Sequence, residues 1–285
     1  LIARASEITI EDSFLHDTVS SGSGGAIYVT QSVLTLRGTK FINNETAGNG
    51  GAVFVSASTL NITDATFHKN ESPVRGGAVY IGNKSTASID RSTFINKRTL
   101  PTAALGEGEG KSTKHTLGAA VFSDKSTLTV AGTLFTDNKS VTECGALAVR
   151  SSVLNLSTSV FLDNTAVYNG AALCIEDGKG GSSITQNTFT RNVSDKYLTP
   201  NTIYLESGAF PTFTDNNIYG NSGFDIVNDT PDAIHTSGNW WGTTDEFAIE
   251  DRVLGHVGEL TKGEITFTPF LQHKVVIPNP ADSKK

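Results

Sequence analysis

One short motif recurs six times along this chain. It appears as Gly24-Gly25-Ala26-Ile27, Gly50-Gly51-Ala52-Val53, Gly76-Gly77-Ala78-Val79, Gly118-Ala119-Ala120-Val121, Cys144-Gly145-Ala146-Leu147 and Gly170-Ala171-Ala172-Leu173. The starts lie 26, 26, 42, 26 and 26 residues apart, so one unit carries an insertion of 16. A fixed period of this length marks a solenoid, in which each unit buries its apolar side only by stacking on its neighbours.

A second motif follows about seventeen residues into each unit: Phe41-x-x-Asn44, Phe67-x-x-Asn70, Phe135-x-x-Asn138, Phe161-x-x-Asn164, Phe189-x-x-Asn192 and Phe213-x-x-Asn216. Phe14-x-x-Asp17 and Phe94-x-x-Lys97 read as degenerate copies. Between the motifs the hydrophobic period is two, which predicts three short strands per unit. Aligning the units stacks Ile27, Val53, Val79, Val121, Leu147 and Leu173 in one inward column, with Val29, Val55, Ile81, Ser123, Val149 and Ile175 beside it. Leu36, Ile62, Ile89, Val130, Leu156 and Ile184 form another.

Three strands and no helix can close a core only by coiling, with each strand paired in parallel to its equivalent one unit away at about 4.8 Å. The expectation is an all-β parallel β-helix of about 26 residues per coil, roughly ten turns and a length of order 50 Å. A leucine-rich repeat of similar period wants Leu at several fixed offsets and a helical stretch, which these units lack. Gly-Gly suits a corner that needs positive φ and close approach of coils. Phe suits an interior ring stack, and Asn a side-chain ladder at the next corner.

Composition agrees. Serine and threonine exceed a fifth of the chain, glycine is 28 of 285 residues and charged residues are 18%, against a coiled coil or helical bundle. The formal net charge of −7, with dispersed Lys and Arg, argues against nucleic-acid binding. No apolar run approaches the roughly 20 residues that span a bilayer. The absence of Met, even at position 1, suggests a segment of a longer product.

The paired motifs, over roughly residues 14 to 216, resemble the passenger repeats of chlamydial-type polymorphic outer membrane proteins, though Gly-Gly is eroded in the later copies. That resemblance implies a right-handed β-helix, secretion as an autotransporter, display at the cell surface and a virulence-related role in adhesion, with no catalytic residue set. Gly238-Asn239-Trp240-Trp241-Gly242 resembles the Asn-Trp-Trp-Gly segment near the C-terminal end of many β-helix proteins and reads as a cap. The organisation expected is β-helix over residues 1–238, with an insertion loop at about 97–117, then a cap and linker over 239–285.

The residue after the first inward aliphatic is the candidate site. It runs Tyr28, Phe54, Tyr80, Phe122, Ala148, Cys174 and Tyr204, and if its neighbours point in, these rings point out. An exposed aromatic stripe marks contact with a partner protein, a glycan or another copy, unless a loop or the C-terminal segment covers it. Trp240 and Trp241 could stack on sugars, or simply close the end of the core.

Catalytic β-helices gather carboxylates with Arg or Lys on one outward face. The outward positions of the second strand, Thr35, Asn61, Ser88, Thr129, Asn155 and Ser183, are uncharged. The six histidines share no column. Asp64 and Arg91 occupy equivalent places in neighbouring coils and read as a surface ion pair, and Asp245-Glu246 and Glu250-Asp251 as solvated charge near the cap. Cys144 and Cys174, four residues out of step, are expected some 13 Å apart as two thiols. The eight Asn-x-Ser/Thr sequons read mostly as coincidence in a chain this rich in Asn, Ser and Thr, with Asn83 and Asn228 the best-placed acceptors if the source is eukaryotic.

These features point to a non-catalytic, secreted or surface-displayed adhesin-type domain with no cofactor or metal, binding a cell-surface protein or glycan and able to self-associate. A polysaccharide lyase or glycoside hydrolase on the same scaffold, or a subunit of an extracellular fibre, are the alternatives.

Overall fold

Alternating apolar residues and frequent corners leave each unit as three short strands. In the second unit these are Val53–Ser56, Thr59–Thr63 and Thr66–His68. The computed structural model describes residues 1–95, 120–178, 180–195, 199–255, 262–278 and 280. The insertion at 97–117, the Gly118-Ala119 pair and the tail beyond Pro280 lie outside them.

Equivalent strands pair in parallel, one coil apart. The first strands make a ten-stranded sheet, here sheet A, while the second and third make eight-stranded sheets B and C. Together they form about nine coils of roughly 26 residues with almost no helix. The inward columns fall as expected. Val79 lies opposite Val53 and Val121, and Ile62 opposite Leu36 and Ile89. Phe41, Phe67, Phe94, Phe135, Phe161 and Phe189 are fully buried, with successive ring centroids 4.7 to 5.1 Å apart. Burying each ring is worth about 2–3 kcal/mol. The stack runs unbroken from Phe94 to Phe135 at 5.1 Å, so the insertion leaves the coil spacing unchanged.

Three corners of the coil use the same device, a left-handed residue followed by a buried polar one. Gln31, Ala57, Lys125 and Ser151 take positive φ between sheets A and B. The serines after them form a ladder: Ser32 N donates to Ser58 Oγ at 2.9 Å, Ser58 N to Ser85 Oγ at 3.1 Å and Ser126 N to Ser152 Oγ at 3.0 Å. Between sheets B and C the ladder passes from Ser159 to Asn187, Asn216 and Asn239, each step 2.9 Å. After sheet C, Asn44 donates to Asn70, and Asn138 to Asn164 and on to Asn192 and Asn221. These side chains satisfy backbone groups that the corners would otherwise bury unpaired.

Only the last ladder is legible from Phe-x-x-Asn, and two copies of that motif sit elsewhere than expected. Phe213 lies opposite Ile184 in sheet B, so Asn216 belongs to the second ladder, while Ile218 takes the phenylalanine place opposite Phe189. At the other end Leu15, not Phe14, lies opposite Phe41, and Phe14 is 56% exposed.

The two glycines of each motif do different jobs. Gly50 has φ +70°, whereas a Cβ on Gly51 would stand 2.1 Å from the carbonyl oxygen of Gly77 in the next coil. Cys144 takes the first place at φ 60°. Ala171 takes the second where the following coil presents Asn201 instead of a glycine.

The C-terminal end is closed by more than tryptophan. Trp241, Ile249 and Val253 are buried in the main core, with Phe267 and Phe270 packed against it. Ile249 is carried on a short helix, Glu246–Glu250, capped by the Asp245 side chain, so Asp245 serves structure. The stretch expected as linker docks in its described part: Val275 exchanges two hydrogen bonds with the Asn217 side chain, at 2.8 and 3.0 Å.

Candidate functional site

Strand alternation puts two columns on the outer face of sheet A. The first is the aromatic stripe. Tyr28, Phe54, Tyr80 and Phe122 stack rung on rung with centroids 4.8, 5.0 and 5.7 Å apart. The planes of the first three differ by at most 3°. Because each ring spends its faces on its neighbours, the stripe turns ring edges outward.

The stripe is covered over much of its length. Tyr28, Phe54 and Tyr204 are half-buried, but Tyr80 is 8% exposed and Phe122 fully buried. Among the described residues, part of the cover comes from the repeats' own corners. A Cβ on Gly24 would lie 3.2 Å from Phe54 Cβ, and one on Gly170 2.3 Å from Cys174 Sγ. The Arg75 guanidinium sits 5.3 Å above the Phe122 ring and that of Arg150 5.6 Å. Desolvation pushes the Arg75 pKa down, helped by Arg150, and its buried Nε has no hydrogen-bond partner.

Along this stripe the two cysteines form a disulfide with Cα atoms 5.5 Å apart, overturning the expectation of two thiols. The register was right, since Cys174 lies opposite Ala148. The error was to extend the strand in a straight line from Ala148 back to Cys144. The chain turns at Cys144 and returns beside the outer face, where its sulfur replaces an aromatic edge. Tyr80, Phe122, Cys144, Ala148 and Cys174 form a second apolar cluster, flanked by Phe54 and Tyr204.

The other outer column is ionic. Asp124 lies opposite Arg150, Arg150 opposite Glu176, and, one step beyond the Ile175–Leu205 pair, come Glu206 and Asp229. Arg150 holds Asp124 in a fork, with Nε and Nη2 each 3.1 Å from a carboxylate oxygen. Tyr204 donates its hydroxyl to Asp229 Oδ2 at 2.6 Å, and Lys262 Nζ is 3.1 Å from Asp229 Oδ1. Burial pushes the Tyr204 pKa up, reinforced by Asp229. Glu176 is 8% exposed. Burial, then the charges of Glu206 and Glu143, push its pKa up to about 8 against the pull of Arg150. The column of the second strand that the sequence singles out, from Thr35 through Asn61 to Ser183, is uncharged. The signal lay at the last position of the first strand, visible only with the units aligned.

Elsewhere, Arg91 pairs with Asp64 as expected, Nε and Nη2 each at 3.1 Å, with both side chains about half exposed. Asn228 is fully buried and donates to two backbone carbonyls, which removes it as a glycan acceptor, while Asn83 is exposed. Among the described residues no group of three or more His, Cys, Asp or Glu is placed to hold a metal ion. Trp241 is 2% exposed and Trp240 half-buried, with Trp240 N donating to Asn216 O. A shallow concavity of about 680 Å³ runs along the corner between sheets A and B, lined by Ser6, Gln31, Ser32, Ser58, Lys84 and Thr86 among others. That corner follows the rungs of Tyr28 and Phe54 on the same coils.

Uniform parallel pairing, corner ladders and an interior ring stack define a parallel β-helix. The family model described as right handed beta helix region matches residues 1–240, and the chain belongs to that family. No curated protein and no solved structure matches it. Right-handed β-helix domains occur in both enzymes and non-enzymes. No helix among the described residues is long and apolar enough to cross a membrane.

Proposed function

We propose that this chain is a non-catalytic, extracellular contact domain of the adhesin type, displayed at the cell surface as part of an autotransporter-like protein and binding a cell-surface protein or glycan. The observation that carries the reading is that the first coils present the half-buried Tyr28 and Phe54 on sheet A and, at the corner that follows on the same coils, a concavity lined by Gln31, Lys84 and several serines and threonines. A rigid rod presents such a surface at little entropic cost on binding. The Cys144–Cys174 disulfide suits an oxidising compartment outside the cytosol.

A polysaccharide-active enzyme is the second reading, favoured by the ionic column with its buried Glu176. A fibre growing end to end is disfavoured by the covered C-terminal end. The test is binding of the soluble domain to a panel of cells and anionic polysaccharides, with release of sugar products assayed in parallel. The variant to compare is Tyr28→Ser/Phe54→Ser, because Tyr80 and Phe122 are too buried to change without disturbing the fold. Binding lost in the variant with no product released supports the contact domain. Product released by both forms supports the enzyme.

A further inference from the structure

Glu176 is the one member of the ionic column that ends in no bond. Leu173 and Ile175 point into the core, so Cys174 and Glu176 point outward, and the bond from Cys174 to Cys144 shows that the corner turn lies over that face. The charged groups around Glu176 are Arg150, Glu143, Asp177, Glu206 and, one rung further, Asp229 and Lys262. Arg150 is committed to Asp124 through both prongs of its fork, and Lys262 is paired with Asp229. Glu143 accepts a hydrogen bond from Asn169 Nδ2 at 3.2 Å. Among the described residues the Glu176 carboxyl has neither a hydrogen bond nor an ion pair, while the residue as a whole is only 8% exposed. A buried carboxylate needs a cation and hydrogen-bond donors to be stable in its charged form.

The surroundings restrict what can supply them. The apolar neighbours on the same face come from the Cys174 rung two residues back along the strand: the disulfide to Cys144, with Ala148 and Tyr204 opposite Cys174. With no metal-holding group among the described residues, the fit is to an organic cation. A residue only 8% exposed is more accessible to a slender aliphatic stem with a charged tip than to a bulky group, and the apolar disulfide and Tyr204 ring suit such a stem. A sugar amine is attached directly to its ring, and a guanidinium is a wide planar fork. The acidic domain, at net charge −7, also attracts basic partners over distance.

We propose that Glu176, on the same face as the Cys144–Cys174 disulfide and Tyr204, is a receptor for the ammonium group of a lysine side chain on a basic partner protein. This rests on the contact-domain reading and names its partner's chemistry. With the Glu176 pKa raised to about 8, the free site holds a proton at neutral pH, and lysine binding releases it as the ion pair forms.

The probe is Nα-acetyl-lysine methylamide, with glucosamine and calcium chloride as comparison arms, added at pH 7 to the whole domain carrying carbon-13 in its glutamate carboxyl groups. The expected result is a shift of the Glu176 carboxyl resonance from its protonated to its ionised position with the lysine probe alone, and binding weaker by about tenfold or more in Glu176→Gln. No shift at saturating probe, a shift with glucosamine or calcium instead, or equal binding by Glu176→Gln would overturn the proposal. The wild-type resonance reports directly, so the test survives a poorly folding variant. Probe binding without cell binding removes the contact-domain reading and keeps the site, whereas cell binding unchanged in Glu176→Gln with no probe binding does the reverse.

Discussion

Cys174 stands opposite Ala148 in the neighbouring coil, yet its sulfur is bonded to Cys144, four residues earlier, with Cα atoms 5.5 Å apart. The bond clips a corner turn onto the outer face of sheet A, and so ties the solenoid's cover to its wall. Cys144→Ser/Cys174→Ser removes a crosslink with a sequence separation of 30, which loop-closure entropy values at about 3.6 kcal/mol. Thermal unfolding should show the double variant and the reduced wild type destabilised alike, and thiol titration should find no reactive thiol in the unreduced protein.

The corner ladders should be among the most sensitive positions. Asn164 donates to Phe135 O and Asn192 Oδ1 and accepts from Asn138 N, all buried. Asn164→Ala leaves these partners unsatisfied, at about 1–3 kcal/mol each and not fully additive. The exposed Asn155, on the outer face of sheet B, should tolerate alanine within about 0.5 kcal/mol. Urea unfolding of the two variants checks the contrast.

Two arginine–carboxylate pairs should differ in the same way. Arg37 and Glu11 meet at 2.7 Å with both side chains about half exposed or more, so Arg37→Ala should cost less than about 1 kcal/mol. Arg252 forks onto Asp225, whose side chain is 0% exposed, at 2.7 and 2.9 Å. Arg252→Ala strands that carboxylate and should cost about 3–5 kcal/mol at neutral pH, less in acid, where Asp225 protonates. Denaturation of each variant at pH 4 and pH 7 separates the two cases.

Glu176 gives the fold a pH dependence of known sign. Its pKa is about 8 in the folded chain against an ordinary 4.5, so between those values the folded state holds a proton that the unfolded state has lost. Stability conferred by this group is complete below about pH 4.5 and is lost as pH rises through 8. Glu176→Gln should match wild type at pH 5 and exceed it at pH 9 by an amount on the order of a few kcal/mol. Equal stability at pH 9 would mean that Glu176 ionises normally.

The fold was legible because identical units stack like on like, so columns such as Ile27–Val53–Val79 can be read from the period alone. The Ser32–Ser58–Ser85 ladder was hidden because serine is common throughout the chain and carries no apolar rhythm. Phe213 misled because an inward residue three before a corner Asn fits sheet B as well as sheet C: Ile184 and Asn187 occupy those places one coil earlier. At the site, alternation correctly placed Tyr28 and Phe54 outside. It could not tell that the corner at Cys144 turns back to reach Cys174 on that face, because a corner's path depends on left-handed residues rather than on strand spacing. The ionic column was missed for a simpler reason: Asp124, Arg150, Glu176 and Glu206 lie in different units, and only the three-dimensional stack makes them neighbours.

The central claim is that the rungs of Tyr28 and Phe54, with the concavity at the corner that follows them, are the contact surface. Hydroxyl-radical footprinting of the domain, unbound and bound to a cell type that retains it, tests this most directly. The account predicts protection of Tyr28, Phe54 and Lys84 on binding, with Thr35 and Asn61 on the outer face of sheet B unchanged. Protection confined to sheet B, with Tyr28 and Phe54 labelled equally in both states, would contradict it.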